Sequence, residues 1–157
     1  MTPSIGVTES NTQAVATELA KLLADEYVLF TKTKNAHWNI EGPDFYEKHK
    51  FFEMQFGQLH QIIDDVAERI RTLGHYNSAT LKKFLELTHL SEETVGKNDS
   101  KTYMNDLLVD HESIIIHCRE NVNRFANEYK DTGTSDFVTG LLKEHEKMAW
   151  LLRAHFN

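Results

Sequence analysis

Residues 45–74, FYEKHKFFEMQFGQLHQIIDDVAERIRTLG, decide the fold. No proline interrupts the segment, and it reads as one continuous helix with Gly74 beyond it as a C-cap candidate. At 100° per residue, His49, Glu53, Asp64 and Glu68 fall at about 0°, 40°, 60° and 100°, so all four share one face. Along the axis Glu53 and Asp64 are roughly 16 Å apart at 1.5 Å per residue. A first-row metal holds nitrogen and oxygen ligands at about 2 Å. One ion therefore cannot be held by both halves of this stripe on one chain. If the halves share a metal, an antiparallel copy of the helix from a second subunit brings Asp64 and Glu68 beside His49 and Glu53. The expectation is a metal site built across a two-fold dimer interface.

Working outward, three more long helical segments are expected. The first spans 11–36, with Val15, Leu19, Leu22, Leu23, Tyr27 and Phe30 at helical spacing. The loop 38–44 carries Gly42 and Pro43 as a break. A connector after Gly74 holds a short amphipathic piece over 80–87. The next long helix spans 100–129 with Asp99 or Ser100 as N-cap. A tight loop, 130–133, leads to the last, 134–156. Four long helices with a crossover between the second and third give an all-α, ferritin-like four-helix bundle with a short extra helix in the connector. One domain is expected over 1–157, with residues 1–10 a short N-terminal tail. Lengths alone also fit a cytokine-like or purely structural bundle, so function has to come from the site.

Composition narrows the field. Hydrophobic residues at 40% and charged residues at 26% mark a globular chain rather than a disordered one. No apolar run approaches the ~20 residues needed to span a bilayer, and the first residues lack the pattern of a secretory signal. A single cysteine, Cys118, rules out an internal disulfide framework, and a cytoplasmic location is expected. The net charge of −7 disfavours generic attraction to nucleic acid.

His37 ends the first helix, and the loop turns the chain back so that it can approach His49. The proposed set is His37, His49 and Glu53 from one subunit with Asp64 and Glu68 from its partner. Imidazole with carboxylate suits iron, manganese or zinc, and the absence of thiolates argues against a structural zinc or iron–sulfur site. The competing reading is a solvated face, with Lys48, Arg69 and Arg71 pairing to neighbouring acids. Phe52, Phe56, Ile63 and Ala67 on or near the stripe speak against it, because a solvated face is not interleaved with phenylalanines. His60 lies on the same stripe, too far from either cluster to be a ligand, and reads as an interface residue. A Glu-x-x-His pair on two helices would mark a larger ferritin; this chain has one, Glu86 with His89, in the connector, and it is read as chance.

The stretch HWNIEGPDF (37–45), then HKFFE (49–53), then IDDVAER (63–69), resembles the Dps family, the mini-ferritins; the likeness runs on into KMAW (147–150). The resemblance implies a ferroxidase centre between two subunits. Carried over by position, its ligands are His37, His49 and Glu53 from one chain and Asp64 and Glu68 from the other, Glu53 standing where many members have Asp. Trp38 is adjacent to that centre in the resemblance, either helping to quench radical intermediates or packing as an aromatic at a helix end. The implied reaction is oxidation of Fe(II) to Fe(III), with hydrogen peroxide preferred over dioxygen, and iron storage within a homo-dodecamer built on two-fold dimers. Asp131 and Asp136 are candidates for lining its pores, against a role for Asp136 at a helix N-terminus. Some members bind DNA through basic tails. Here the first basic residue is Lys21, so strong DNA binding through a tail is not expected. Two alternatives stay open: a DNA-protecting, nucleoid-associated cage with weak or no ferroxidase activity, and a bundle holding zinc or manganese without redox turnover.

Overall fold

The computed structural model describes residues 3–94 and 96–156. All regular structure in them is helical: α1 (Glu9–Asn39), α2 (Phe45–Thr72), the short α3 (Leu81–Leu87), α4 (Ser100–Asn127), α5 (Thr132–Arg153), and a closing 3-10 turn, Ala154–Phe156. α1 packs chiefly on α2 and α4 on α5, while α1 also meets α3 and α4. This is the ferritin-like bundle with its short connector helix. Among the described residues no helix is long and apolar enough to cross a membrane.

Caps set the boundaries. Thr8 accepts from Asn11 N–H and starts α1 earlier than the apolar periodicity indicates. The same helix runs past Ala36 to Asn39, so His37 and Trp38 are helical residues rather than the edge of a loop. Thr80, Asp99 and Asp131 accept from the N–H groups of Lys83, Thr102 and Thr134 and start α3, α4 and α5. At the other end of α2, Gly74 takes φ 93°, a conformation that favours glycine. A Cβ there would stand 2.5 Å from the Pro3 ring. The turn between α4 and α5 has the expected four residues but lies two positions earlier, at 128–131. Lys130 adopts the left-handed conformation at φ 58°, and Gly133 already belongs to α5.

The core follows the heptad-like spacing of each helix. Val15, Leu19 and Leu29 of α1, Phe52, Leu59 and Val66 of α2, Ile114 and Phe125 of α4, and Val138 and Leu152 of α5 are fully buried. Tyr27 of α1 stacks on Phe84 of α3, ring centroids 4.2 Å apart, and this docks the connector on the bundle. Cys118 sits in the same core, and burial pushes its thiol up, well above the ordinary range.

Polar residues also occupy the interior, which apolar periodicity does not reveal. Lys32 of α1 pairs with Asp106 and Asp110 of α4. Burial is the main cause that raises the Asp110 carboxyl, with the Lys32 ammonium opposing it. Glu26, His145 and His111 form a sealed chain: Glu26 Oε1 lies 2.8 Å from His145 Nε2, and the Nδ1 atoms of His145 and His111 are 2.9 Å apart. One Nδ1 must carry the shared hydrogen and the other accept it. Burial, followed by the neighbouring imidazole, holds His111 well below its ordinary value, so it is neutral.

Candidate metal centre

The α1–α2 turn brings two imidazoles together. The chain leaves α1 at Ile40, reverses through Gly42 at φ 130°, and enters α2 at Phe45. His37 and His49 then stack, ring centroids 3.7 Å apart and 20° from parallel. His37 Nδ1 lies 2.8 Å from the carbonyl of His49, and His49 Nδ1 lies 2.8 Å from the carbonyl of His37. A carbonyl oxygen can only accept, so each Nδ1 donates and carries the proton. Each Nε2 therefore keeps its lone pair, the tautomer a metal-binding imidazole needs. Phe56 supports the pair edge-on, 5.1 Å from His37.

Glu53 lies one turn beyond His49 and is exposed. Lys50 Nζ donates to it at 2.7 Å. That hydrogen bond, together with the charge of the Lys50 ammonium, holds the carboxyl below its usual range and keeps it ionised.

Asp64 and Glu68 lie on the same helix, both exposed. α2 is unbroken from Phe45 to Thr72, so the chain does not fold them back onto His49. Of the basic residues of the solvated-face reading, Arg69 and Arg71 are engaged away from the acids of the helix, whereas Lys48, like Lys50, pairs with an acid of α2 as that reading expects. Arg69 donates through Nε and Nη2 to Thr134 Oγ1 at 3.0 and 2.9 Å, Arg71 donates to the carbonyl of His75, and Lys48 pairs with Glu47. Thus one chain unites His37 and His49, holds Glu53 one turn along α2 in a pair with Lys50, and presents Asp64 and Glu68 outward.

Trp38 is 65% exposed. The Lys34 ammonium lies 5.2 Å from its ring and 5.4 and 5.0 Å from those of Phe30 and Phe56, a cation held among three aromatics. Phe45, Tyr46 and Met54 are exposed around the same end of α2. His60 is exposed farther along, its ring 6.0 Å from Phe30.

Of the two pore candidates, Asp131 is corrected. It is buried, accepts from Thr134 N–H and Oγ1, and faces Arg69 at 3.6 Å; it is the N-cap of α5 rather than a pore-lining carboxylate. Asp136 is exposed in the second turn of α5, beyond the capping positions.

A further group escaped the reading by spacing. Asp25 of α1, His89 of the connector and His117 of α4 converge, with potential ligand atoms all within 4.8 Å of one another. Their separation in the chain gives no local signature; the partial signal was His89 itself, seen only beside Glu86. Glu86 instead pairs with Lys83 at 3.2 Å.

Comparison with known proteins agrees with this architecture. The sequence matches the ferritin-like domain family over residues 16–157. It is 40% identical over 151 residues to an uncharacterized low temperature-induced protein of Nostoc sp., covering 96% of this chain and 84% of that one. It is 35% identical over 139 residues to DNA protection during starvation protein 2 of Bacillus anthracis, covering 88% and 94%. Among solved structures, the Dps protein of Vibrio cholerae O1, described as belonging to a broad superfamily of ferritin-like diiron-carboxylate proteins, superposes with a TM-score of 0.92. Its identity is 31%, covering 99% of this chain and 97% of that one. DpsC from Streptomyces coelicolor gives a TM-score of 0.93 at 29% identity, covering 100% and 91%. With a bundle of this form, matched over nearly its whole length, the chain belongs to the ferritin-like domain family and is a Dps-type member of it.

Proposed function

We propose that this chain is an iron-oxidising, iron-storing mini-ferritin. It takes Fe(II) as substrate at centres formed between two subunits, with His37, His49 and Glu53 from one and Asp64 and Glu68 from the other. The observation that carries the reading is the locked His37–His49 pair, both Nε2 lone pairs free and an ionised Glu53 one helical turn on, on a chain whose remaining acidic candidates are exposed. Exposed Phe45, Tyr46 and Met54 around the stripe support a covered interface, since clustered apolar surface marks association sites. The diiron-carboxylate description of the Vibrio protein's superfamily favours iron over zinc or manganese.

The chemistry follows from the donor set. Neutral imidazoles and carboxylates bind Fe(II), and the carboxylates stabilise the higher charge of Fe(III). Two Fe(II) each give one electron to one hydrogen peroxide; its O–O bond breaks and two protons complete two waters. Holding two irons together delivers both electrons at once and releases no hydroxyl radical. In this reading Trp38, an exposed indole, intercepts stray oxidising equivalents. The ferric product is stored in a dodecameric cage in the cytoplasm, and the activity protects against oxidative stress.

The test is anaerobic Fe(II) loading followed by peroxide, beside a His37→Ala/Asp64→Ala variant. Rapid oxidation at about two Fe(II) per peroxide, lost in the variant, is expected. Oxidation no faster than a protein-free control overturns the reading and turns attention to DNA protection, the role named in several relatives. For that role a gel shift at ~150 mM salt is the measure; weak binding is expected of an acidic chain with no Lys or Arg in its first twenty residues.

A further inference from the structure

The cluster of Asp25, His89 and His117 lies apart from the α1–α2 turn and draws one residue from each of three elements. Asp25 is 1% exposed, and its neighbours are hydrogen-bond donors rather than a Lys or Arg. Oδ1 accepts from Thr88 Oγ1 at 2.7 Å and from His89 N–H at 2.6 Å, and Oδ2 lies 3.0 Å from His89 Nδ1. A buried carboxylate calls for a balancing positive charge. His89 and His117 stack with ring centroids 4.0 Å apart and 20° from parallel, close to the arrangement of His37 and His49. His117 Nδ1 is buried with no hydrogen-bond partner among the described residues. Such an orphan needs an explanation, and an unbound ion is one.

These residues line a polar cleft of about 260 Å³ that also includes Glu18, Lys21, Glu120 and Arg124. The two cations at its edge are engaged: Lys21 and Arg124 lie 2.9 and 3.5 Å from the carboxylate of Glu18. Neither neutralises Asp25.

We propose that Asp25, His89 and His117 form a second metal site, taking one divalent first-row cation and pinning the connector to α1 and α4. Ligands of one tetrahedral zinc-type ion, each at about 2.0–2.2 Å, stand roughly 3.3–3.6 Å apart. The observed convergence within 4.8 Å therefore closes with side-chain movements on the order of an ångström. Two imidazoles and a carboxylate without thiolate suit Zn(II), Co(II) or Fe(II) and leave a position for water. The ion adds a fixed positive charge beside Asp25, whose ionisable partner is otherwise His89 Nδ1 at 3.0 Å, and gives His117 Nδ1 the partner it lacks. The inference does not depend on the ferroxidase reading, because it uses none of that site's residues.

Co(II) is the probe, added to the full-length chain carrying His37→Ala/Asp64→Ala so that the first site is disabled. About one Co(II) per chain is expected, with the intense visible absorption of a low-coordinate nitrogen–oxygen site. Adding His117→Ala should weaken it by more than about 100-fold, since even outer-shell partners are worth about 10–100-fold. His117→Gln, closer in volume, provides a second variant, and Zn(II) should raise the melting temperature of the parent but not of this one. No Co(II) bound to the parent, or equal binding with and without His117, overturns the proposal.

Discussion

The His37–His49 and His111–His145 pairs show what a fold can do with the same two rings. At the α1–α2 turn each Nδ1 is spent on the other residue's backbone carbonyl, and each Nε2 is left with a lone pair. In the bundle interior the two Nδ1 atoms are spent on each other, His145 Nε2 is spent on Glu26, and neither ring meets solvent. The first pair is fixed in a tautomer and kept available. The second is fixed and closed. Backbone carbonyls at a turn orient a ring and leave its second nitrogen unspent, whereas the side-chain partners between packed helices use both nitrogens of His145.

The sharpest way to break this contrast is to mix subunits. If the open pair works with a partner's carboxylates, His37→Ala and Asp64→Ala chains are each inactive alone. Co-assembled, they regain activity, because half of the sites in every mixed dimer are intact. Random pairing predicts recovery of about a quarter of the native oxidation rate. Recovery of none, measured by peroxide-driven ferric absorbance, would place the site within one chain.

The sealed pair should answer in stability instead. Glu26→Ala leaves His145 Nε2 without its partner and is expected to cost about 3–5 kcal/mol. Denaturant unfolding checks this, with Fe(II) oxidation at 25 °C unchanged in whatever fraction folds. A smaller loss, about 1–2 kcal/mol, is expected for Asp131→Ala, which removes the α5 cap. That variant should leave iron uptake unaltered, which separates a cap from a pore residue.

The mildest test is pH. His111 is held neutral in the folded chain below its ordinary value of 6.5. The unfolded chain therefore binds this proton first, and stability falls as pH drops below about 6.5, by up to about 1.4 kcal/mol per unit. His111→Asn should flatten that slope in melting curves between pH 7 and 5. A slope unchanged by the substitution would remove His111 as its cause.

How much of this was legible beforehand varies by distance along the chain. The four long helices were, because Leu19, Leu22, Leu59 and Val138 obey one short period. The stripe on α2 was as well, because an unbroken helix fixes both angle and rise. The ends of α1 were not: Thr8 caps it and Asn39 ends it, and neither changes the apolar pattern. Asp131 misled because an acidic residue in a tight loop reads the same whether it caps a helix or lines a pore. The interior polar chain and the Asp25 cluster were invisible for a different reason. Glu26 meets His145, and Asp25 meets His89 and His117, only after the helices pack, and a one-dimensional pattern scores all five as surface. His89 was seen, but beside the wrong acid.

Cys118 gives the molecule a built-in clock. Its sulfur lies within the core, and burial keeps it a thiol rather than a thiolate. Since peroxide and disulfide reagents attack the thiolate, the residue is silent while the bundle is closed. The rate at which a thiol reagent labels it therefore counts openings of the helices, one chain at a time. A protein proposed to work in contact with peroxide thus keeps its one sulfur nucleophile where oxidation would record failure of the fold rather than use of the site.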